Sequence, residues 1–266
     1  MTTFEFDADT AVVPVDAGAG RWRATITPRF NVGPNPNGGY ILATMLRPLF
    51  ETIGKPDPLT VSAHFLRPTT VGEADIDVDV FRTGRRHAHA EVRLVQETER
   101  VRAIAAFGDL AAAEGRTLVR GAPPELPPPD ECIVRRPVID IGQPAIMDRF
   151  ETRFAPSTPW ILGEPSIDTA VTGWIRFADG RPADVASLPL FADAFPPAVF
   201  ALGRAGWVPT IELTVHVRAR PAPGWLRARF ETRFLVDGYL EEDGELWDED
   251  GRLVAESRQL AMLLQP

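Results

Sequence analysis

The stretch that decides the fold is Asn37-Gly38-Gly39-Tyr40-Ile41-Leu42-Ala43-Thr44-Met45-Leu46, running on through Ile53 to Leu59-Thr60-Val61-Ser62-Ala63-His64-Phe65-Leu66-Arg67-Pro68. Leu42, Met45, Leu46, Leu49 and Ile53 recur at spacings of three and four, and Tyr40 and Ile41 widen the stripe. That periodicity predicts a helix, and the scarcity of polar positions predicts one wrapped by a sheet. Pro48 removes an amide donor mid-helix and is expected to bend the helix or end it near Arg47. Gly38 and Gly39 let the backbone pass close to another group. They also offer amide donors at a positive helix start, a place for an anionic or polarised oxygen. A plain turn before a core helix is the competing reading.

Outward from this helix, residues 21–30 alternate as a strand, and four strand-like runs follow at 59–67, 74–83, 86–97 and 100–110. Asp75-Ile76-Asp77-Val78-Asp79-Val80-Phe81 shows period-two alternation, one face wet and one buried. One helix followed by an antiparallel meander thus accounts for residues 21–110. Residues 1–20 are acidic and rich in Gly and Ala, and read as an edge strand with a loop. The tract 111–130 carries Pro123-Pro124 and Pro127-Pro128-Pro129 and reads as a semi-rigid linker. The expected division is therefore 1–110, a linker at 111–130, and 131–266.

The second half repeats the first. Thr60-Val61-Ser62-Ala63-His64, leading to Arg67-Pro68, is echoed by Thr214-Val215-His216, leading to Arg220-Pro221, and each runs on to a Gly turn, at Gly84 and Gly238. Residues 167–177 are strand-like. The apolar run 185–202 stands where the second helix belongs, broken into pieces by Pro189, Pro196 and Pro197.

A length of 266 residues suits one large domain or two smaller ones. The net charge of -9 and pI near 5.0 argue against a nucleic-acid or anionic-membrane surface. No apolar run reaches the eighteen or so residues of a membrane span, and the acidic start has no signal-peptide pattern. Cys132 is the only cysteine, which excludes an intrachain disulfide and a cysteine metal site. A reducing, cytoplasmic setting is the default expectation.

The order Gly-Gly-helix, the strand ending His64-Phe65-Leu66-Arg67-Pro68, and the duplicated half resemble the acyl-CoA thioesterase II-like branch of the hotdog superfamily. The resemblance covers roughly residues 20–110 and 150–265. It implies an α+β double hotdog, two repeats each of a central helix wrapped by an antiparallel sheet. It also implies hydrolysis of an acyl-CoA substrate by one activated water, without covalent intermediate and with no cofactor or metal. A homodimer or homotetramer is the assembly it suggests. In that family an Asp, a Thr and a Gln orient the water, and they match Asp193, Thr210 and Gln259. Two departures stand out: Glu212 replaces the family's Asp, and one residue is inserted before Pro221.

The residues themselves leave alternatives beside these roles. Asp193 is a lone acid in an apolar stretch, suited to a desolvated base or to a helix N-cap or turn. Thr210, Glu212 and Thr214 alternate in phase, so Thr214 competes with Thr210 as the working hydroxyl. Gln259 is either a site amide or an edge residue. Gly38 and Gly39 are candidate oxyanion donors, and Arg85 with Arg86 a candidate CoA-phosphate contact against a solvated hairpin. His64 and His216 read as strand packing positions. His87 and His89 lack neighbouring acids for a metal site. Against hydrolysis stands a ligand-binding hotdog that has lost catalysis. A hotdog hydratase would need a histidine near Asp193 in sequence, and none is there.

Overall fold

The computed structural model describes residues 3–134, 144–203 and 207–264. The first half contains α1 (Glu5–Asp9), β1 (Val12–Asp16), β2 (Arg21–Ile26), a small pair β3 (Asn31–Val32) and β4 (Asn35–Pro36), and α2 (Gly38–Thr52). It continues with β5 (Asp57–Phe65), β6 (Gly72–Thr83), β7 (Ala88–Gln96) and β8 (Thr98–Gly108). The second half contains β9 (Phe150–Phe154), β10 (Ala170–Phe177), α3 (Leu188–Phe191), β11 (Thr210–Val217) and β12 (Leu226–Glu231). It closes with β13 (Leu235–Val236), β14 (Tyr239–Trp247) and β15 (Leu253–Met262).

Apart from β3 and β4, these strands form one antiparallel sheet in the order β1-β2-β6-β7-β8-β5-β11-β15-β14-β12-β10-β9, with β13 alongside β14. The two halves meet edge to edge at β5 and β11. Ser62 stands opposite Thr214, and the pairs run outward from it to His64 with Glu212 and Thr60 with His216. Two strands that would each expose a row of unpaired amides and carbonyls thereby satisfy one another.

α2 lies in the core. Tyr40, Leu42, Met45, Leu46 and Leu49 are inaccessible to solvent. The expected break at Pro48 does not occur, because one helix runs from Gly38 to Thr52. Mid-helix proline costs about 3 kcal/mol. Each large apolar side chain buried on either side of it returns roughly 1.5–3 kcal/mol, so burial wins. The second helix is broken as its prolines require: α3 has four residues, and a 3-10 turn follows at Ala198–Leu202.

The amino terminus departs from expectation. Residues 5–9 form α1 ahead of the strand, with acids in the first turn, where the helix dipole favours them. Phe6 is buried beside Phe177, their ring centroids 5.2 Å apart. Asp7 accepts from Arg47 of the first half and from Arg181 of the second. The helix therefore clasps both halves.

α2 begins where it passes α3, and this contact requires glycine. A Cβ on Gly39 would stand 2.5 Å from the Pro189 carbonyl oxygen and 2.8 Å from the Asp193 Cβ. Backbone on one side and a short side chain on the other leave nothing flexible to yield. We expect Gly39→Ala to lose on the order of 2–3 kcal/mol of stability, measured by chemical denaturation.

Candidate functional site

Asp193 follows α3 at a point where the chain turns into Pro196 and Pro197. It caps a helix, but one in the other half of the molecule. Its Oδ2 accepts from the Gly39 amide at 2.8 Å and from Asn37 Nδ2 at 2.9 Å. Asn37 Nδ2 also donates to the Asp193 main-chain oxygen at 2.8 Å, while Asn37 Oδ1 accepts from the Tyr40 amide as N-cap of α2. One asparagine thus starts the helix and fixes the carboxylate at its positive end. Asn37 had no assigned role in the sequence reading. Its place before Gly38-Gly39 was the signal available, as an N-cap side chain with a spare amide.

Desolvation among apolar neighbours pushes the Asp193 carboxyl up to about 6, and the donors from Gly39, Asn37 and Gly38 pull partly the other way. The Gly39 amide is taken up by this carboxylate. The paired glycines admit and hold the acid here, rather than facing an oxyanion.

Thr210 and Gln259 meet on the facing strands. Gln259 is buried, and its Nε2 donates to Thr210 Oγ1 at 2.7 Å. The register of β11 against β15 shifts between Thr210 and Glu212, so Thr210 pairs with buried Ala261 while Glu212 pairs with Leu260. This bulge breaks the in-phase alternation expected from the sequence. Thr210 faces Gln259, whereas the Thr214 hydroxyl lies within hydrogen-bonding distance of Ser62 and Glu212 at the seam of the halves. Thr214 is not part of the site, and the substituted Glu212 points away from it.

Asp193, Thr210 and Gln259 line one cavity of about 360 Å³, together with Asn37 and Gly38. Its remaining walls are largely apolar, among them Ile41, Phe65, Phe195, Phe200 and Trp207, and Arg67 stands at its edge. Pockets that are apolar with a few convergent polar groups suit an extended apolar ligand with one reactive polar centre. Arg85 lies elsewhere: its side chain does not line the cavity, and its carbonyl accepts from Lys55 Nζ in the hairpin. His89 stacks on Phe81 at 6.2 Å. Among the described residues no group of three or more His, Cys, Asp or Glu is placed to hold a metal ion.

An α+β protein with a sheet wrapped on a buried helix and a polar trio in an apolar cleft is of the hotdog class. An Alicyclobacillus acidocaldarius protein described as having a hotdog fold superposes with a TM-score of 0.88 over the whole of both chains, at 24% identity. The family model for the acyl-CoA thioesterase N-terminal domain matches residues 26–108, and that for the C-terminal domain matches residues 120–263. The chain belongs to the acyl-CoA thioesterase family, in its thioesterase II-like branch. A candidate thioesterase II from Thermobifida fusca YX is 32% identical, with a TM-score of 0.89 over 100% of this chain and 99% of that one. A Mycobacterium tuberculosis H37Rv protein described as uncharacterized is 28% identical over 97% of this chain and 98% of its own length. No helix among the described residues is long and apolar enough to cross a membrane.

A carboxyl raised above its unfolded value favours folding below the unfolded value and loses that contribution as pH rises through the folded one. Asp193→Asn removes the desolvated charge and keeps an acceptor for Gly39. We expect it to be more resistant to urea than the wild type at pH 8, by on the order of 1–2 kcal/mol. The difference should close as pH falls below about 4, as the wild-type carboxyl becomes neutral in the unfolded as well as the folded state.

Proposed function

We propose that this protein is an acyl-CoA thioesterase, built as two fused hotdog units, that hydrolyses an acyl-CoA thioester to free acid and CoA. The observation that carries the reading is the convergence of Asp193, Thr210 and Gln259 on one apolar cavity. Asp193 Oδ2 is engaged by Asn37 and Gly39, which fixes the carboxylate and orients its other oxygen as the acceptor for water. The Thr210 hydroxyl and the Gln259 amide hold that water, and the acyl chain lies along Phe65, Phe195 and Phe200. Arg67 at the cavity edge offers a cation for the nucleotide end.

In the reaction, Asp193 takes a proton as the water oxygen bonds to the thioester carbon. Collapse of the tetrahedral species breaks the carbon–sulfur bond, and the proton is returned to the departing thiolate. The products are a carboxylic acid and CoA thiol, with no bond to the enzyme at any stage. A cytoplasmic enzyme acting as a homodimer or homotetramer is the setting that accompanies this reading.

Thiol release from acyl-CoAs of increasing chain length tests it. Asp193→Asn and Gln259→Ala should each lose about a hundredfold or more in kcat, the scale of a positioned base and its partner. The base must be ionised, so kcat should rise with pH through about 6. Acyl-CoA binding with no thiol released at any chain length would replace this reading with a ligand-binding protein.

A further inference from the structure

A second carboxyl lies close to Asp193, and the mechanism above gives it no part. Glu242 sits on β14 directly across from Gln259 on β15. Directly opposed residues of antiparallel strands project from the same face of the sheet, so Glu242 and Gln259 share the inner side. Glu242 Oε2 accepts from the Ala198 amide at 2.6 Å. Ala198 opens the 3-10 turn that follows Pro196 and Pro197, five residues beyond Asp193. Proline at 196 and 197 leaves few ways for this connection to bend, so a clamp on Ala198 is felt at Asp193.

The remaining charges of this neighbourhood point away. Asp243, next along β14, projects from the opposite face and pairs with Arg258 and Arg233. Among the described residues, Asp193 is the charged group that acts on Glu242. Burial first, and then the Asp193 charge, push the Glu242 carboxyl up to about 7, against the pull of the Ala198 amide. The same carboxyl is thus tied by a hydrogen bond to the turn that follows Asp193 and stands on the strand that pairs with Gln259.

We propose that Glu242 is a positioning residue of the hydrolytic site, holding the segment that carries Asp193 through the Ala198 amide and coupling its own charge to that of Asp193. Two coupled carboxyls lose their protons in two steps that belong to the pair. The site then has two acidic steps rather than one.

The inference rests on the thioesterase reading for its kinetic arm but not for its structural one. Glu242→Gln keeps an acceptor for Ala198 and abolishes the charge; Glu242→Ala abolishes both. In the kinetic arm, Glu242→Gln should keep kcat at pH 6 within about twofold and show one ionisation where the wild type shows two. Glu242→Ala should lose about tenfold or more in kcat, with KM within about threefold, as expected when a base is mispositioned. In the second arm, carbon-13 NMR of the side-chain carboxyls follows the Glu242 titration in the wild type and in Asp193→Asn. The Glu242 midpoint should fall by about one pH unit when the Asp193 charge is removed. A Glu242 midpoint unmoved by Asp193→Asn overturns the coupling, even if no thioester is hydrolysed. Pairwise coupling in the NMR arm together with an inactive wild type would discard the enzyme and keep the pair. Wild-type kcat in Glu242→Ala would overturn the positioning role.

Discussion

One carboxylate crossing from the second half of the chain to the helix start of the first is the contact on which the site depends. Asp193 alone would be a poor tenant of an apolar cleft, since its charge costs several kcal/mol to desolvate there. It is held at the amino end of α2 by the Gly39 amide and the Asn37 side chain, where unpaired amides and the helix dipole favour an anion. The balance is close, and the carboxyl ends with its proton affinity raised toward neutrality. A base of that strength is useful for moving a proton from water near pH 7. Burial raises the proton affinity and the helix-start donors lower it, so the two opposing effects are set by the same place in the fold.

This contact explains features that otherwise look unrelated. Gly38 and Gly39 are small because α2 must start against α3 and Asp193. The second helix is short because its chain has to deliver the acid to that start and then turn through two prolines. The bulge in β11 is needed for Thr210 to leave the outer face and meet Gln259. The β5–β11 pairing fixes the distance over which all of this occurs.

Much of the architecture was legible in the sequence. The stripe from Tyr40 to Ile53 marked a covered helix, and the alternation in residues 74–83 marked a half-buried strand; the strands that carry His64 and His216 pair with each other. What was not legible had a common cause: pattern rules see one segment at a time. Pro48 lies inside an intact helix because packing outweighs its local cost. α1 forms because Phe6 and Asp7 find partners in both halves. At the site, Asp193, Thr210 and Gln259 came from family resemblance. The choice between Thr210 and Thr214 turned on a one-residue bulge that no periodicity records. Asn37 escaped notice because its partner lies 156 residues away. Arg85 looked basic enough for a phosphate but belongs to a hairpin that does not line the cleft.

The seam between β5 and β11 has a consequence for how such a chain divides its labour. Each half could in principle offer a helix start and a facing acid, which would give two equal sites. Among the described residues one combination is assembled: the first half keeps the long helix, and the second, its own helix cut down by proline, supplies the acid, the hydroxyl and the amide. Two fused hotdog units, as proposed above, are released from the symmetry that would oblige both copies to stay alike. On that reading the chain behaves as a heterodimer whose partners can never be mismatched or diluted apart, and its second partner carries the short α3.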